Sequence, residues 1–478
     1  MNNLKVFLKS KTSVNIFSNW FIHFLKIFIT LFSIPLLLDV YNKVEYGSYA
    51  LYLGFISFAS IFDFGNFNNI TRLTIKYKKS GDKIKYHLNL GYVLRNILIS
   101  NLLIFIIGVV IIYFRKLIFN YDLQQDEMFF LVLIFALINT FFFNLLQITL
   151  GILQGYQRNY LHNIGIFFAT IFITIVYIII YYKEIDFIKF IFLNTIVNLI
   201  ALIFNIYFIK ELNLFKGYKY NKMKSEEEVV SFQKNYFLLN IFGFFTSNSD
   251  KFILAIFTNV STAGIYDLIS RPYYLLKAFM GNFFSIYQAK ILSMSLEIQK
   301  KIINNTFKIF VQIGILILIF AYFFIDDFYL FWLKDETLGS IPLLSLVLIS
   351  ASVINLISGS VHRIFIMNDN IRGIRNVEII GGICNALISV LGAKYIAFYY
   401  VIFGTIFQVS LMLLYIFLKA INSKHLKFNF NDILIYTVFF ILVGTCLIFN
   451  SIIILIILTF YTFFFLFSFL NKISRYLK

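Results

Sequence analysis

Apolar stretches of about 20 residues recur along the whole chain, each set off by short polar segments and each long enough to cross a bilayer as a helix. About fourteen are expected, since sustained apolar runs of this length argue for membrane helices. They fall near 14–38, 47–69, 88–114, 128–150, 161–182, 187–209, 231–257, 262–288, 303–325, 341–365, 375–393, 395–418, 432–449 and 451–470. The last two form one apolar run that must be cut at Asn450-Ser451 into a tight hairpin. The pattern predicts an all-α polytopic membrane protein.

The polar exceptions inside these stretches carry the chemistry. One span holds Asn248-Ser249-Asp250-Lys251, and the next holds Asp267, Arg271, Pro272 and Lys277. Lys26 interrupts the first span, about twelve residues in, or roughly 18 Å at 1.5 Å per residue, which is near the midplane. A charge at the bilayer centre costs at least about 2.5–3.5 kcal/mol, so it turns toward protein or a wet cavity. Lys26, Lys251, Arg271 and Lys277 are therefore candidate ligands for an anionic substrate. Each has a plainer reading. Asp267 and Arg271 stand four apart and can pair on one helix face. Lys251 can pair with a distant carboxylate or snorkel outward. Asp63 reads as a structural cap and His23 as a satisfied interior histidine, while Asp250 and Glu378 are candidate proton or cation sites. Pro272 removes a helix hydrogen bond and should bend its span.

Composition agrees with the pattern, at 60% hydrophobic and 13% charged, far from the roughly 25% charge of soluble domains. The N-terminal segment does not read as a cleavable signal, because its apolar stretch is too long and lacks a small-residue cleavage site. Cys384 and Cys446 both lie in apolar spans and suggest neither disulfide nor metal. No P-loop, metal-ligand cluster or nucleophile constellation is visible, and no cofactor is expected.

The formal charge of +18 acquires meaning from its distribution. Most Lys and Arg fall on alternate loops: the N-terminus, 72–85, 210–224, 290–301, 363–375, 419–427 and the tail. The opposite loops hold only Lys43, Arg115, Lys116, Lys183, Lys189, Lys334 and Lys394. This asymmetry places both termini in the cytoplasm, and the abundance of Asn, Lys, Ile and Phe looks like an AT-rich bacterial genome, so the expected membrane is a bacterial inner one. The excess charge reports orientation and attraction to anionic lipid rather than nucleic acid, since no basic segment is interleaved with stacking aromatics.

An internal repeat is visible. Tyr46-Gly47-Ser48-Tyr49 opens the second span and Ala263-Gly264-Ile265-Tyr266 the eighth, and both spans end on a basic inner loop. Parallel repeats of this kind are a recurring transporter plan, with the substrate between the halves. The alternative is a chance turn with an interfacial tyrosine. The expected division is 1–210, a linker at 211–230, 231–420 and a C-terminal pair with its tail at 421–478.

Ile34-Pro35-Leu36-Leu37-Leu38, Glu45-Tyr46-Gly47-Ser48-Tyr49 and Asp63-Phe64-Gly65 before Arg72 resemble the opening of bacterial polysaccharide flippases. These are the O-antigen and capsule translocases of the multidrug/oligosaccharidyl-lipid/polysaccharide exporter superfamily. Asp250-Lys251-Phe252-Ile253-Leu254 with Ala263-Gly264-Ile265-Tyr266 is similar to its mid-chain pattern. The resemblance implies two six-helix bundles in a V, working by alternating access, with the last two spans as an accessory pair. It implies a lipid-linked oligosaccharide with a pyrophosphate head as substrate, membrane lipids as surroundings, and a polysaccharide polymerase and chain-length proteins as candidate partners.

Independently of that resemblance, Lys and Arg in a wet cavity suit a pyrophosphate through charge-assisted hydrogen bonds. A multidrug exporter is the alternative; it would want cavity carboxylates for cationic substrates, and the spans hold acids and cations in equal number. A membrane polymerase would need a sizeable external loop, and the outer loops here are short and acidic.

Overall fold

In a computed structural model of the chain, the described residues are 11–58, 65–81, 83–183, 185–211, 227–292, 296–334, 339–367 and 371–422. Among them every regular element is helical. The long ones are α1 (Lys11–Val40), α2 (Lys43–Phe58), α3 (Asn66–Ser80), α4 (Lys83–Tyr113), α5 (Asp126–Gly155), α6 (Asn159–Lys183) and α7 (Phe187–Glu211). They continue with α8 (Glu227–Ser247), α9 (Ser249–Phe257), α10 (Val260–Leu292), α11 (Leu296–Leu333), α12 (Ile341–Met367), α13 (Ile371–Leu391) and α14 (Val401–Asn422). Eight of the described helices are long and apolar enough to cross a membrane, and the protein is a multi-pass membrane protein. Asp63, the loop at 212–226 and the spans expected at 432–449 and 451–470 lie outside the described residues.

Lipid-facing surfaces follow from helical spacing. On α1, Phe17, Phe21, Phe24, Phe28 and Phe32 are all exposed, three or four apart, so they form one apolar stripe. Asn15, Ile22, Ser33 and Leu37, on the other side of the helix, are buried. On α4 the outward row includes Leu98, Leu102, Phe105 and Val109.

The chain divides into two compact units. Of the described residues, one unit holds those within Val6–Leu268 and Glu378–Gly404; the other holds those within Ile269–Val377 and from Thr405 to Asn422. The division falls within α10. In the first unit α7 packs on α5 and α6, α3 and α2 pack on α5, and α1 packs on α6. In the second, α11 packs along α12.

Within the first unit the loops gather at two ends, as a multi-pass chain requires. At one end the Tyr41 hydroxyl donates to the Ile185 carbonyl at 2.7 Å, and the Asn120 N–H donates to Ala255 O at 3.0 Å. At the other end, Asn15 Nδ2 donates to Gln157 O at 2.9 Å, and Gln233 bridges Asn66 and Asn96.

α10 includes Pro272 within one continuous helix. An interruption falls one span earlier, at Asn248, whose φ of −138° and ψ of −9° separate α8 from α9.

The two repeat motifs meet backbone to backbone. A Cβ on Gly47 would lie 2.2 Å from the Val260 carbonyl oxygen, and one on Gly264 would lie 3.0 Å from the Gly47 Cα. Only glycine lets α2 and α10 approach so closely. Gly47→Ala should therefore destabilise the purified protein by about 1–3 kcal/mol through overpacking, read as a lowered thermal midpoint. Gly243→Ala, with nothing within 4 Å of the new Cβ, should leave it level or raise it by up to about 1 kcal/mol. Equal midpoints for the two variants would contradict this packing.

Candidate functional site

The close approach of α2 and α10 brings together side chains that the sequence scatters across three spans and a fourth. Lys251 of α9 forms an ion pair and a hydrogen bond with Asp267 Oδ1 of α10. The Tyr46 hydroxyl of α2 donates to Asp267 Oδ2 at 2.9 Å. Next to it the Tyr266 hydroxyl donates to Asp250 Oδ2 at 2.6 Å, and Ser389 Oγ of α13 donates to Asp250 Oδ1 at 3.0 Å. Asp267 is 0%, Asp250 2% and Lys251 6% exposed, so all three are sealed. Each motif of the repeat thus sends one tyrosine onto a buried carboxylate. The pairing of Lys251 with a distant carboxylate, one of the two plainer readings of that residue, is the arrangement found, and its charge is committed to Asp267.

Asp250 lies in the first turn of α9, where the helix dipole favours a negative charge. Oxygens converge beside it: Ser389 Oγ lies 3.4 Å from both Asn385 Oδ1 and the Val401 carbonyl. Glu378 is half-buried on α13 and takes part in other contacts. Among the described residues no group of three His, Cys, Asp or Glu could hold a metal ion.

Lys26 takes part in none of these bonds. At about 100° per residue it stands roughly 160° around α1 from the centre of the phenylalanine stripe, on the side of Ile22, Asn15 and Ser33. That side is buried, yet Lys26 itself is exposed. Lys26 thus lies on the opposite side of α1 from the exposed phenylalanines. No carboxylate among the described residues pairs with it, and it acts electrostatically on His162 of α6.

A ladder of amides and hydroxyls runs through the same unit. Asn139 Nδ2 donates to the Tyr52 hydroxyl at 2.5 Å, which also bonds Thr195 at 3.0 Å. Asn198 Nδ2 donates to Asn139 Oδ1 at 2.7 Å, and Asn205 Nδ2 bonds Thr149 Oγ1 at 2.8 Å and His162 Nδ1 at 2.9 Å. The sequence reading passed over these residues. Their signal was present: Asn194, Asn198 and Asn205 recur at helical spacing inside an apolar span, where polar side chains are rare and turn inward.

Arg271 and Lys277 lie on the part of α10 that belongs to the second unit, and both are half-buried. Lys277 Nζ is 3.4 Å from the Tyr273 hydroxyl and 5.5 Å from its ring centroid. Six residues apart, the two cations diverge by about 120° around the helix. Both make further contacts.

A family profile described as "Polysaccharide biosynthesis protein" matches residues 14–288 of the 478. Among solved structures the chain is similar to the lipid II flippase MurJ in an inward closed conformation, with a TM-score of 0.65 at 14% identity, covering 97% of this chain and 99% of that one. It is similar to MATE in complex with MaL6, with a TM-score of 0.61 at 13% identity over 87% and 97% of the two chains. A MOP superfamily transporter from Pyrococcus furiosus aligns with a TM-score of 0.54 at 13% identity over 87% and 97%. At these identities the likeness is one of fold. No curated protein matches the chain.

The ion pair makes a testable demand on stability. Asp267→Asn strands a buried ammonium and should cost about 3–5 kcal/mol, whereas replacing both partners with apolar residues should cost far less. Thermal midpoints of Asp267→Asn, Lys251→Met and the Lys251→Met/Asp267→Leu double variant decide the matter. A double variant no more stable than the Asp267→Asn single would count against the pair.

Proposed function

The chain belongs to the polysaccharide biosynthesis protein family, and from that premise we propose that it flips a lipid-linked oligosaccharide across the bacterial cytoplasmic membrane. The cargo is an undecaprenyl-pyrophosphate-linked oligosaccharide for surface polysaccharide such as O-antigen or capsule. It moves from the cytoplasmic to the outer leaflet by alternating access. The role is transport rather than catalysis, and both termini lie in the cytoplasm, as the distribution of Lys and Arg indicates.

The observation that carries this reading is Lys26. It is a cation on the inward face of its helix, exposed, with no carboxylate partner among the described residues. A diphosphate in a low-dielectric cavity gains from such an ammonium and cannot cross hydrocarbon without one. Arg271 and Lys277, half-buried on the part of α10 that belongs to the second unit, are proposed as headgroup ligands in their own right. Lys251 is left out of it, because its charge is already matched by Asp267.

The same observation weighs against an exporter of cationic drugs. Such an exporter needs carboxylates open to its cavity. Asp250 and Asp267 are instead buried and bonded to Tyr266, Ser389, Tyr46 and Lys251. Counting charges left the two alternatives level; of the described groups in the spans Lys26 is exposed, Glu378 half-buried, and Asp250 and Asp267 buried, which favours the anionic cargo.

With the cytoplasm negative, an anion moving outward gains about 2.3 kcal/mol per charge per 100 mV. We therefore propose that membrane potential helps drive export, with Asp250 or Glu378 as the group through which a proton or sodium ion couples. Transport in proteoliposomes that ignored both potential and ion gradients would remove this part.

Lys26→Ala, Arg271→Ala and Lys277→Ala should each cut surface polysaccharide by roughly tenfold or more, the size of one lost charge-assisted contact, while the protein stays in the membrane. The measurement is complementation of a strain lacking the gene, with protein level followed alongside. Full complementation by all three variants would remove these residues as ligands.

A further inference from the structure

On the inward side of α7 the packing is interrupted around two amides. Phe192, Ile203, Ile206 and Tyr207 form the exposed row of that helix. At about 100° per residue, Asn194 and Asn198 stand roughly 130–170° around from the centre of that row. Phe190, Ala201 and Asn205 share their side of the helix and are at most 1% exposed. Asn194 and Asn198, which come between them along the chain and lie one turn apart, are half-buried.

Asn198 is held from behind by a sealed chain of hydrogen bonds. Its Nδ2 donates to Asn139 Oδ1 at 2.7 Å, and Asn139 Nδ2 donates to the Tyr52 hydroxyl at 2.5 Å. The Thr195 hydroxyl donates to the Ile191 carbonyl at 2.9 Å, so at 3.0 Å it accepts from Tyr52. Tyr52, Asn139 and Thr195 are all buried. The chain fixes the Asn198 side chain and leaves its Oδ1 and one N–H without a partner among the described residues. Asn194 makes only one contact, from Nδ2 to the Tyr49 hydroxyl at 3.5 Å. Turning both amides and passing the hydroxyl protons the other way reverses every bond in the chain and satisfies it equally; Asn198 then offers Nδ2 in place of Oδ1.

The height of these amides is set by a cluster that joins Ile22 of α1 to Leu146 of α5 and to Ala201 and Leu202 of α7. Lys26 lies one turn from Ile22 toward Tyr41, and Asn198 one turn from Leu202 toward Phe187. Tyr41 bonds the carbonyl of Ile185, just before α7, so both steps run toward the same end. Each is about 6 Å. Lys26 and Asn198 thus stand on the same side of the cluster at similar height, within one unit of the chain.

A metal cation would suit only an outward Oδ1, and the amides bring no carboxylate to match its charge. An anion would suit only an outward Nδ2. A hydroxyl both donates and accepts, and so suits either sense of the chain. We infer that Asn194 and Asn198 hold the first sugar ring of the cargo, next to the diphosphate at Lys26. This rests on the proposed role of Lys26 as a headgroup ligand. The two amides are specificity-determining residues: a ring that offers them hydroxyls is accepted, and a cargo without hydroxyls there leaves them unpaired.

The test uses the full-length protein in nanodiscs and two diphosphate diesters of equal charge. One is farnesyl diphosphate-linked N-acetylglucosamine; the other carries a methyl group in place of the sugar. Calorimetry gives the affinity of each. Wild type should bind the sugar probe roughly tenfold more tightly than the methyl probe, the size of one or two hydrogen bonds. Asn198→Ala should lose most of that preference and Asn194→Ala about threefold of it, both with unchanged affinity for the methyl probe. Asn194→Ala breaks no bond of the sealed chain, and it decides the matter if Asn198→Ala, which strands the Asn139 amide, does not fold. Lys26→Met should weaken both probes alike and leave their ratio in place. No preference in wild type, a preference that survives in Asn194→Ala, or an equal loss of both probes in that variant overturns the sugar subsite while leaving Lys26 as a ligand. Binding unchanged in Lys26→Met, or no binding by wild type, sinks the headgroup reading itself and this inference with it.

Discussion

A charge surrounded by hydrocarbon and protein has no water to answer it, and the described part of this molecule is arranged around that cost. Lys251, Asp267 and Asp250 sit where each alone would be ruinous. They are tolerable because Lys251 and Asp267 neutralise one another, and because Tyr46, Tyr266 and Ser389 fill the remaining lone pairs of the two carboxylates. A buried pair of this kind adds little net stability over apolar residues of the same shape. Its effect is on specificity of contact. α2, α9 and α10 fit together in the one register that brings all five polar groups into reach, and a slip of a single turn would leave at least one of them unmatched.

Much of this was legible in the sequence because membrane helices announce themselves by length and apolarity, and because intruding charges are conspicuous against that background. Lys26, Asp250, Lys251, Asp267, Arg271 and Lys277 all stood out. So did the Gly-x-Tyr repeat, though not that Gly47 and Gly264 touch each other. Spacing along a chain orders residues on one helix but is silent about which helix lies beside which. Asp267 read as a candidate partner for Arg271, four residues on, whereas its bonds to Lys251 and Tyr46 on other helices could not be read from spacing. The polar ladder of Tyr52, Asn139, Asn198 and Asn205 was passed over for a different reason: uncharged amides raise no alarm in a count of charges, and only their shared helical face marks them. The interruption at Asn248 was missed because Pro272 offered a stronger local breaker. Proline, however, is tolerated in a membrane helix when neighbouring groups take up the freed carbonyl.

Accessibility separates the charges more sharply than number does. Acids and cations balance along the spans, and a tally cannot choose between a cationic and an anionic cargo. In the first unit Asp250 and Asp267 are closed off, each by at least two bonds, and Glu378 is half-buried, whereas Lys26 is exposed on the inward side of α1. The helix that carries Lys26 keeps its phenylalanines on one face and this lysine on the opposite one. That is a division of labour between faces which hydropathy alone, averaged around the helix, conceals.

The crossing of α2 and α10 shows how tightness and reversibility can come from the same residues. Backbone meets backbone at Gly47 and Gly264, so the helices come nearer than side chains would permit, and van der Waals contact is gained along both. What fastens the crossing laterally is a set of tyrosine–carboxylate hydrogen bonds, and these are bonds that water can replace one for one. A contact made by interlocking large side chains loses its packing all at once when parted, because interiors are dense and close-packed. A contact made by glycine and exchangeable hydrogen bonds forfeits less, since the freed hydroxyls and carboxylates are solvated as they separate.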